Sequence, residues 1–300
     1  MTEPSSIRVL VLGATGMLGH KVWQVFRRRF DAFAAARTVD GFAHTGLFPG
    51  DRVVTGVRAE EPGTVAQAIA VTQPQVIVNC IGIVKQLKAA GDAVPSITIN
   101  ALFPHQLAAV GRTMGARVIH ISTDCVFLGS RGRYTEDDPP DAQDLYGRTK
   151  LLGEIAGPGC LTVRTSIVGR ELSATTGLLE WFLAQPGRRV KGYATARFSG
   201  LTTLALAELL GDVVDHHREL SGVYHVASAP ITKYDLLVTF EQAYRAGVVI
   251  EPSDDLRIDR TLDGTRFTAA TGLTCGSWEA MVAALAADPT PYDHWRMKRV

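Results

Sequence analysis

Tyr146 and Lys150, in Tyr146-Gly147-Arg148-Thr149-Lys150, stand four residues apart, the spacing that puts two side chains on one face of a helix. A phenol beside an ammonium is a proton-transfer pair. The cation stabilises the phenolate, and it is expected to lower a tyrosine that titrates near ~10 by about 1–3 units. Such a phenol can protonate the alkoxide that forms when a hydride reaches a carbonyl carbon, while a hydroxyl donor shares the developing charge. Thr123, in Ile121-Ser122-Thr123-Asp124, is the expected donor, with Ser122 as its alternate. Asn100 either holds a water that relays protons to Lys150 or simply caps the helix it begins.

A hydride needs a carrier, and the run Gly13-Ala14-Thr15-Gly16-Met17-Leu18-Gly19 suits one. It follows an apolar strand pattern and opens a helical one, the context that gives a glycine-rich turn its meaning. Gly13 permits the tight turn, Gly16 lets backbone N–H groups approach a pyrophosphate, and Gly19 lets the helix pack close to the strand. The helix N-terminus then stabilises the negative charge, with Thr15, Met17 and Leu18 against the cofactor. The choice of dinucleotide falls to the end of the second strand, which reads AAARTVD. Arg37 is either the partner of a 2′-phosphate or a solvated surface charge, whereas Asp40 lies three residues late for a ribose hydroxyl. The expected cofactor is NADP(H), with NAD as the alternative.

The elements that must position these groups alternate along the chain. Residues 7–12, 31–36, 52–55, 75–80, 117–122 and 161–166 read as strands, and 17–30, 65–71 and 97–114 as helices, the last closed by Gly115. Regular alternation implies right-handed crossovers, hence an α/β doubly wound Rossmann-type parallel sheet with ligands at the carboxyl ends of its strands. Beyond residue 166 the pattern loosens into helices at 177–183, 201–216, 233–244 and 278–287 and a strand at 223–227. The expected division is a dinucleotide-binding domain over 1–166 and a smaller C-terminal α/β substrate lobe over 167–300, with some segments returning to the first domain.

Composition narrows the function classes. Lysine plus arginine (31) nearly balances aspartate plus glutamate (30), so no bulk charge draws the chain to nucleic acid or an anionic membrane. The start MTEPSS lacks a signal-peptide pattern, and no apolar run approaches a membrane span. Cys80, Cys125, Cys160 and Cys275 form no C-x-x-C pair, which suits free thiols in the cytoplasm. Cys125 reads as a small buried filler, and Glu136-Asp137-Asp138 as a solvated turn rather than a magnesium site.

The stretch HISTDCVFLGSRGRYTEDDPPDAQDLYGRTKLLGE, from His120 to Glu154, resembles the extended short-chain dehydrogenase/reductases and, within them, the dTDP-4-dehydrorhamnose reductase family. Gly13, Gly16, Gly19, Arg37, the strand ending at Asn79, Asn100, Arg164 in LTVRTS, and YHVAS from Tyr224 extend the match over nearly the whole chain. The resemblance implies Thr123, Tyr146 and Lys150 as the catalytic trio, with Asn100 in support. It implies further cofactor contacts at Asn79, Cys80, Ile81, Gly82, Ser122 and Arg164, besides Tyr146 and Lys150. A nucleotide-linked sugar is the implied partner and a homodimer an allowed assembly. Cys125 stands where the family usually has tyrosine, and Gly56-Val57-Arg58 where an acidic residue is common. Arg260, in DRTLDGTRF, is the nearest match to an arginine of an R-P-x-x-S-like segment, and with Arg197 it suits a sugar-linked diphosphate.

Three activities fit these features: reduction of a 4-keto nucleotide-activated deoxysugar, epimerisation with a retained nicotinamide, and non-catalytic NADP binding as a regulatory subunit. Dehydration fits poorly, because related dehydratases use an Asp-Glu pair after the threonine and this chain reads Asp124-Cys125.

Overall fold

Ser5–Leu12 forms the first strand, β1, and its side chains alternate between two cores: Val9 and Val11 enter one, Leu10 and Leu12 the other. A strand that is apolar on both faces must be covered on both. A computed structural model describes residues 5–85, 91–173 and 175–297, and it supplies both covers. The first half of the chain supplies five more strands of the main sheet, β2 (Phe30–Ala35), β3 (Val53–Val54), β4 (Val76–Asn79), β5 (Arg117–Ile121) and β6 (Cys160–Arg164). Helix α1 (Met17–Phe26) lies on one face, and α2 (Pro62–Thr72) on the other. Beside α2 lies α4 (Phe103–Met114), the short α3 (Ala93–Ser96) packs near α5 (Leu145–Leu152), and α5 precedes β6.

The second half comprises β7 (Ile167–Val168), α6 (Leu178–Leu183), β8 (Arg189–Tyr193), β9 (Ala196–Phe198), β10 (Leu201–Thr202) and α7 (Thr203–His216). It continues with β11 (Gly222–His225), β12 (Ile231–Thr232), α8 (Lys233–Tyr244), β13 (Val249–Ser253) and β14 (Ile258–Asp259). Three helices end it: α9 (Thr265–Thr271), α10 (Trp278–Ala286) and α11 (Tyr292–Met297).

The main sheet runs β11-β6-β5-β4-β1-β2-β3, parallel throughout. Its order reverses between β1 and β4, so the crevice at their carboxyl ends is the switch point where α/β sheets bind ligands. From the second half of the chain, Gly222–His225 supplies the edge strand β11, paired to β6 from Gly222↔Leu161 to His225↔Arg164. Helix α7 likewise returns to pack on α1, sharing its core. The other small sheets are β10-β7, β12-β9-β14 and β13-β8.

The helix read over 97–114 is not continuous. Ile97–Leu102 makes a wide π turn before α4 begins. Pro104 has no N–H to return to the Asn100 carbonyl, and Gly153 packs against that carbonyl so closely that a Cβ there would sit 1.9 Å from the oxygen. Among the described residues no helix is long and apolar enough to cross a membrane.

Candidate active site

The turn after β1 is held by two N–H groups, from Gly13 and Ala14, that donate to the Ala35 carbonyl at the end of β2. Gly13 takes φ +76°, and a Cβ there would press on the chain after β4 at Cys80 and Ile81. Gly19 lies so close beneath the turn that a Cβ would meet the Gly13 carbonyl at 2.1 Å. Gly16 caps α1 with no side-chain acceptor, and the first turn of the helix has no acid. Its leading N–H groups and its dipole are therefore left to an outside anion, which a pyrophosphate fits. Leu18 is in the core, so only its backbone faces that site, and Met17 packs toward Gly177.

Behind the turn, the buried His20 ring bridges to the C-terminal helix. Nδ1 donates to the Gly16 carbonyl at 2.8 Å, which leaves Nε2 to accept from the Tyr292 hydroxyl at 2.8 Å. Burial drives His20 down to about 3, so it stays neutral.

Arg37 stands just past β2 with its side chain 60% exposed, and its Nη2 donates to Glu60 at 3.0 Å. Glu60 is the acidic group that a search of Gly56-Val57-Arg58 misses. It lies two residues further on, and only the turn after β3 brings it back to Arg37.

Helix α5 carries the proton-transfer pair. Asp144 caps it by accepting from Gly147 N–H at 2.8 Å, and Gly147 abuts the Cys125 carbonyl, where a Cβ would come within 2.3 Å. The Thr123 hydroxyl caps the short turn Asp124–Val126 by accepting from Cys125 N–H at 3.1 Å. Tyr146, Thr123 and Cys125 thus meet beyond β5. Burial pushes the Tyr146 phenol well above its ordinary value, Cys125, Asp124 and Asp144 add to the rise, and a hydrogen bond with Thr123 opposes it. The expected depression by Lys150 is not what this arrangement produces. The lysine Nζ turns beneath the strand end, donating to the Ile121 carbonyl at 2.7 Å and lying 3.4 Å from His120 Nε2. Burial lowers Lys150 to about 8, with Glu154 and the Cys80 sulfur acting in the opposite sense.

Several expected cofactor contacts have other work. Arg164 is buried and bidentate with Glu154, and its Nη1 lies 3.2 Å from His225 Nε2. The Ser122 hydroxyl donates to the same Glu154 carboxylate at 2.7 Å. Asn79 accepts from Ile81 N–H and faces His120, both at 3.1 Å. Asn100 is neither a cap nor aimed at Lys150. Its Oδ1 accepts from Ile83 N–H at 2.9 Å and its Nδ2 donates to the Ile83 carbonyl at 3.0 Å, clamping the loop after β4. Along that loop, Cys80 N–H donates to the Leu12 carbonyl, Cys80 and Ile81 pass beside Gly13, and Gly82 is exposed. Burial raises the Cys80 thiol to about 12.

On the far side of Tyr146, Arg260 Nε donates to the Phe127 carbonyl at 2.9 Å and Nη1 reaches Cys125 Sγ at 3.6 Å. Cys125 is held protonated, pushed up to about 12 by burial and by Asp124. Arg197 sits in β9 between buried Ala196 and Phe198, so alternation turns it outward to solvent. The sequence reading missed Lys233, which opens α8. Burial lowers it, while Asp124 and Cys125 oppose that fall and Arg260 and Lys85 reinforce it, so it belongs to the same cluster. Glu136 is not solvated: its Oε1 accepts from His225 N–H at 2.8 Å.

A doubly wound sheet with a glycine turn at its switch point, a threonine beyond β5 and a tyrosine-lysine helix is the architecture of the extended short-chain dehydrogenase/reductases. Residues 7–255 match the RmlD substrate binding domain family, and the chain belongs to it. The chain is 31% identical to the dTDP-4-dehydrorhamnose reductase of Escherichia coli K12 over 81% of its length and 80% of that protein. A Streptomyces griseus protein of the same name is 35% identical over half of this chain, an alignment spanning only 44% of the relative. The crystal structure of dTDP-4-dehydrorhamnose reductase from Bacillus anthracis in complex with NADP superposes with a TM-score of 0.77 at 19% identity, covering 95% of this chain and 100% of the other.

Proposed function

We propose that the chain is an NADPH-dependent reductase of a 4-keto nucleotide-activated deoxysugar. The observation that carries this reading is the meeting of Thr123 and Tyr146 beyond β5, with Lys150 one turn on in the same helix, in a fold whose glycine turn leaves its helix N-terminus uncapped. NADPH, when bound, supplies the hydride. Gly13 and Gly16 shape the turn, Thr15, Met17, Leu18 and Gly19 offer the cofactor backbone groups, and Arg37 takes the 2′-phosphate by exchanging Glu60 for a more highly charged partner. NAD is the fallback, reached if Arg37 stays with Glu60.

A phenol held high by burial keeps its proton until a stronger base forms beside it, which suits Tyr146 to protonate the nascent alkoxide. Thr123 donates a second hydrogen bond to the same oxygen, and the Lys150 ammonium stabilises the phenolate left behind. Arg260 and Lys233 take the diphosphate of the sugar nucleotide from the C-terminal lobe, with Cys125 lining the sugar pocket.

The test is incubation of the purified protein with NADPH and a dTDP-4-keto-6-deoxysugar, following NADPH absorbance and the sugar product. Oxidation of NADPH matched by hydroxyl product supports the reading. Tight NADPH binding without turnover would leave a binding subunit, and turnover with retained NAD an epimerase.

A further inference from the structure

His120 lies in β5 directly opposite Asn79 of β4, and both side chains are buried. The Asn79 amide has only one workable orientation. Its Oδ1 accepts from Ile81 N–H, so the group facing His120 Nδ1 at 3.1 Å is the NH2, a donor. Nδ1 must then present its lone pair. Burial keeps the ring neutral, so its single hydrogen is on Nε2, which faces Lys150 Nζ at 3.4 Å. A donor hydrogen pointed at an ammonium is repulsive. Pointed at an amine it is a hydrogen bond, and the amine still has a hydrogen for the Ile121 carbonyl at 2.7 Å. The contact from His120 therefore suits the uncharged form, and the carbonyl contact can be kept in either form.

We infer that His120 is a positioning residue: locked by Asn79, it aims its Nε2–H at Lys150 and weakens the hold of the lysine on its proton. This rests on the reductase reading. After the Tyr146 phenol gives its proton to the alkoxide, the Lys150 ammonium that stabilises the phenolate is also the acid that restores it, leaving the amine that His120 stabilises; the amine then regains a proton from solvent. The other charges facing the pair fit this assignment. Glu154, one turn on in α5, would favour the ammonium, but its oxygens are tied to Arg164 and Ser122. From the end of β4, Cys80 keeps its proton, and His105 of α4 adds a further unfavourable charge against protonation of His120.

The experiment uses the full chain with bound NADP+ and needs no substrate, so its failure is separable from failure of the proposed reaction. In 15N-histidine-labelled protein, His120 is expected as the Nε2–H tautomer. In 13C-lysine-labelled protein, the Lys150 resonance, assigned by its loss in Lys150→Arg, should titrate at least one pH unit below the ordinary lysine value of about 10.4. In His120→Gln, whose side-chain oxygen can accept from the ammonium, the midpoint should rise by at least one unit, a tenfold gain in proton affinity. A Nδ1–H tautomer, or a midpoint unmoved by the substitution, overturns the assignment. If His120→Gln does not fold, Asn79→Leu serves, because freeing Nδ1 should let the ring switch tautomer and raise Lys150 in the same way.

Discussion

Glu154 and Arg164 are joined by two parallel contacts, Oε1 to Nε and Oε2 to Nη2, each 2.8 Å, with side chains only 7% and 6% exposed. The pair sits behind β5, and Ser122 hangs from the same carboxylate. Removing one partner strands a buried charge. Glu154→Gln is expected to cost about 3–5 kcal/mol by urea denaturation, whereas replacing both residues with methionine should restore much of that loss. Equal loss in the single and double variants would show that the pair is not the source.

Tyr146→Phe should lower turnover by about 10²–10⁴ while leaving NADPH affinity nearly unchanged, because the phenol acts on the developing alkoxide and packs the same way without its hydroxyl. Single-turnover rates and a binding titration separate the two quantities. A matched loss of binding and rate would mean a packing defect.

Arg37 and Glu60 make opposite predictions. Arg37→Ala should erase a preference for NADPH over NADH in fluorescence titrations, and Glu60→Gln should strengthen NADPH binding several-fold by releasing the guanidinium and removing a like charge from the phosphate site. If Glu60→Gln changes nothing, Arg37 does not meet the phosphate.

Three fully buried histidines make the fold sensitive to acid. His20 is lowered to about 3, His225 to about 4, and His120 well below its ordinary value, each chiefly by burial. Below pH 6.5 the unfolded chain binds protons at these sites that the folded chain refuses, so stability is full above that pH and falls as pH drops. The slope is about 1.4 kcal/mol per pH unit for each histidine, about 4 for the three, down to roughly pH 4. Denaturant midpoints at pH 7, 6 and 5 should trace it, and a flat profile would contradict the neutral rings.

The glycine turn and the Tyr146-Lys150 pair were legible in the sequence because each is a local pattern whose geometry one strand-helix junction or one helix determines. The duties of Asn79, Asn100 and Arg164 were not, since their partners His120, Ile83 and Glu154 arrive from other segments. The effect of Lys150 on Tyr146 was misjudged for a related reason. Sequence spacing shows that the two share a helix face but not that the ammonium tips toward Ile121, nor that burial outweighs a neighbouring charge. Arg197 and Lys233 were likewise inseparable from surface charges until strand alternation and helix placement set one outward and the other inward.

The dependence of α1 on α7 sets a timetable for synthesis. Leu18, Val22, Trp23 and Phe26 share a core with Leu206, Leu210 and Val213, so the helix behind the nucleotide turn has no complete cover until the chain has been made through residue 216. On the ribosome the first half would therefore expose an apolar helix face and one side of its sheet for most of translation, a surface suited to chaperone capture. Splitting the gene after residue 166 would make that transient state permanent.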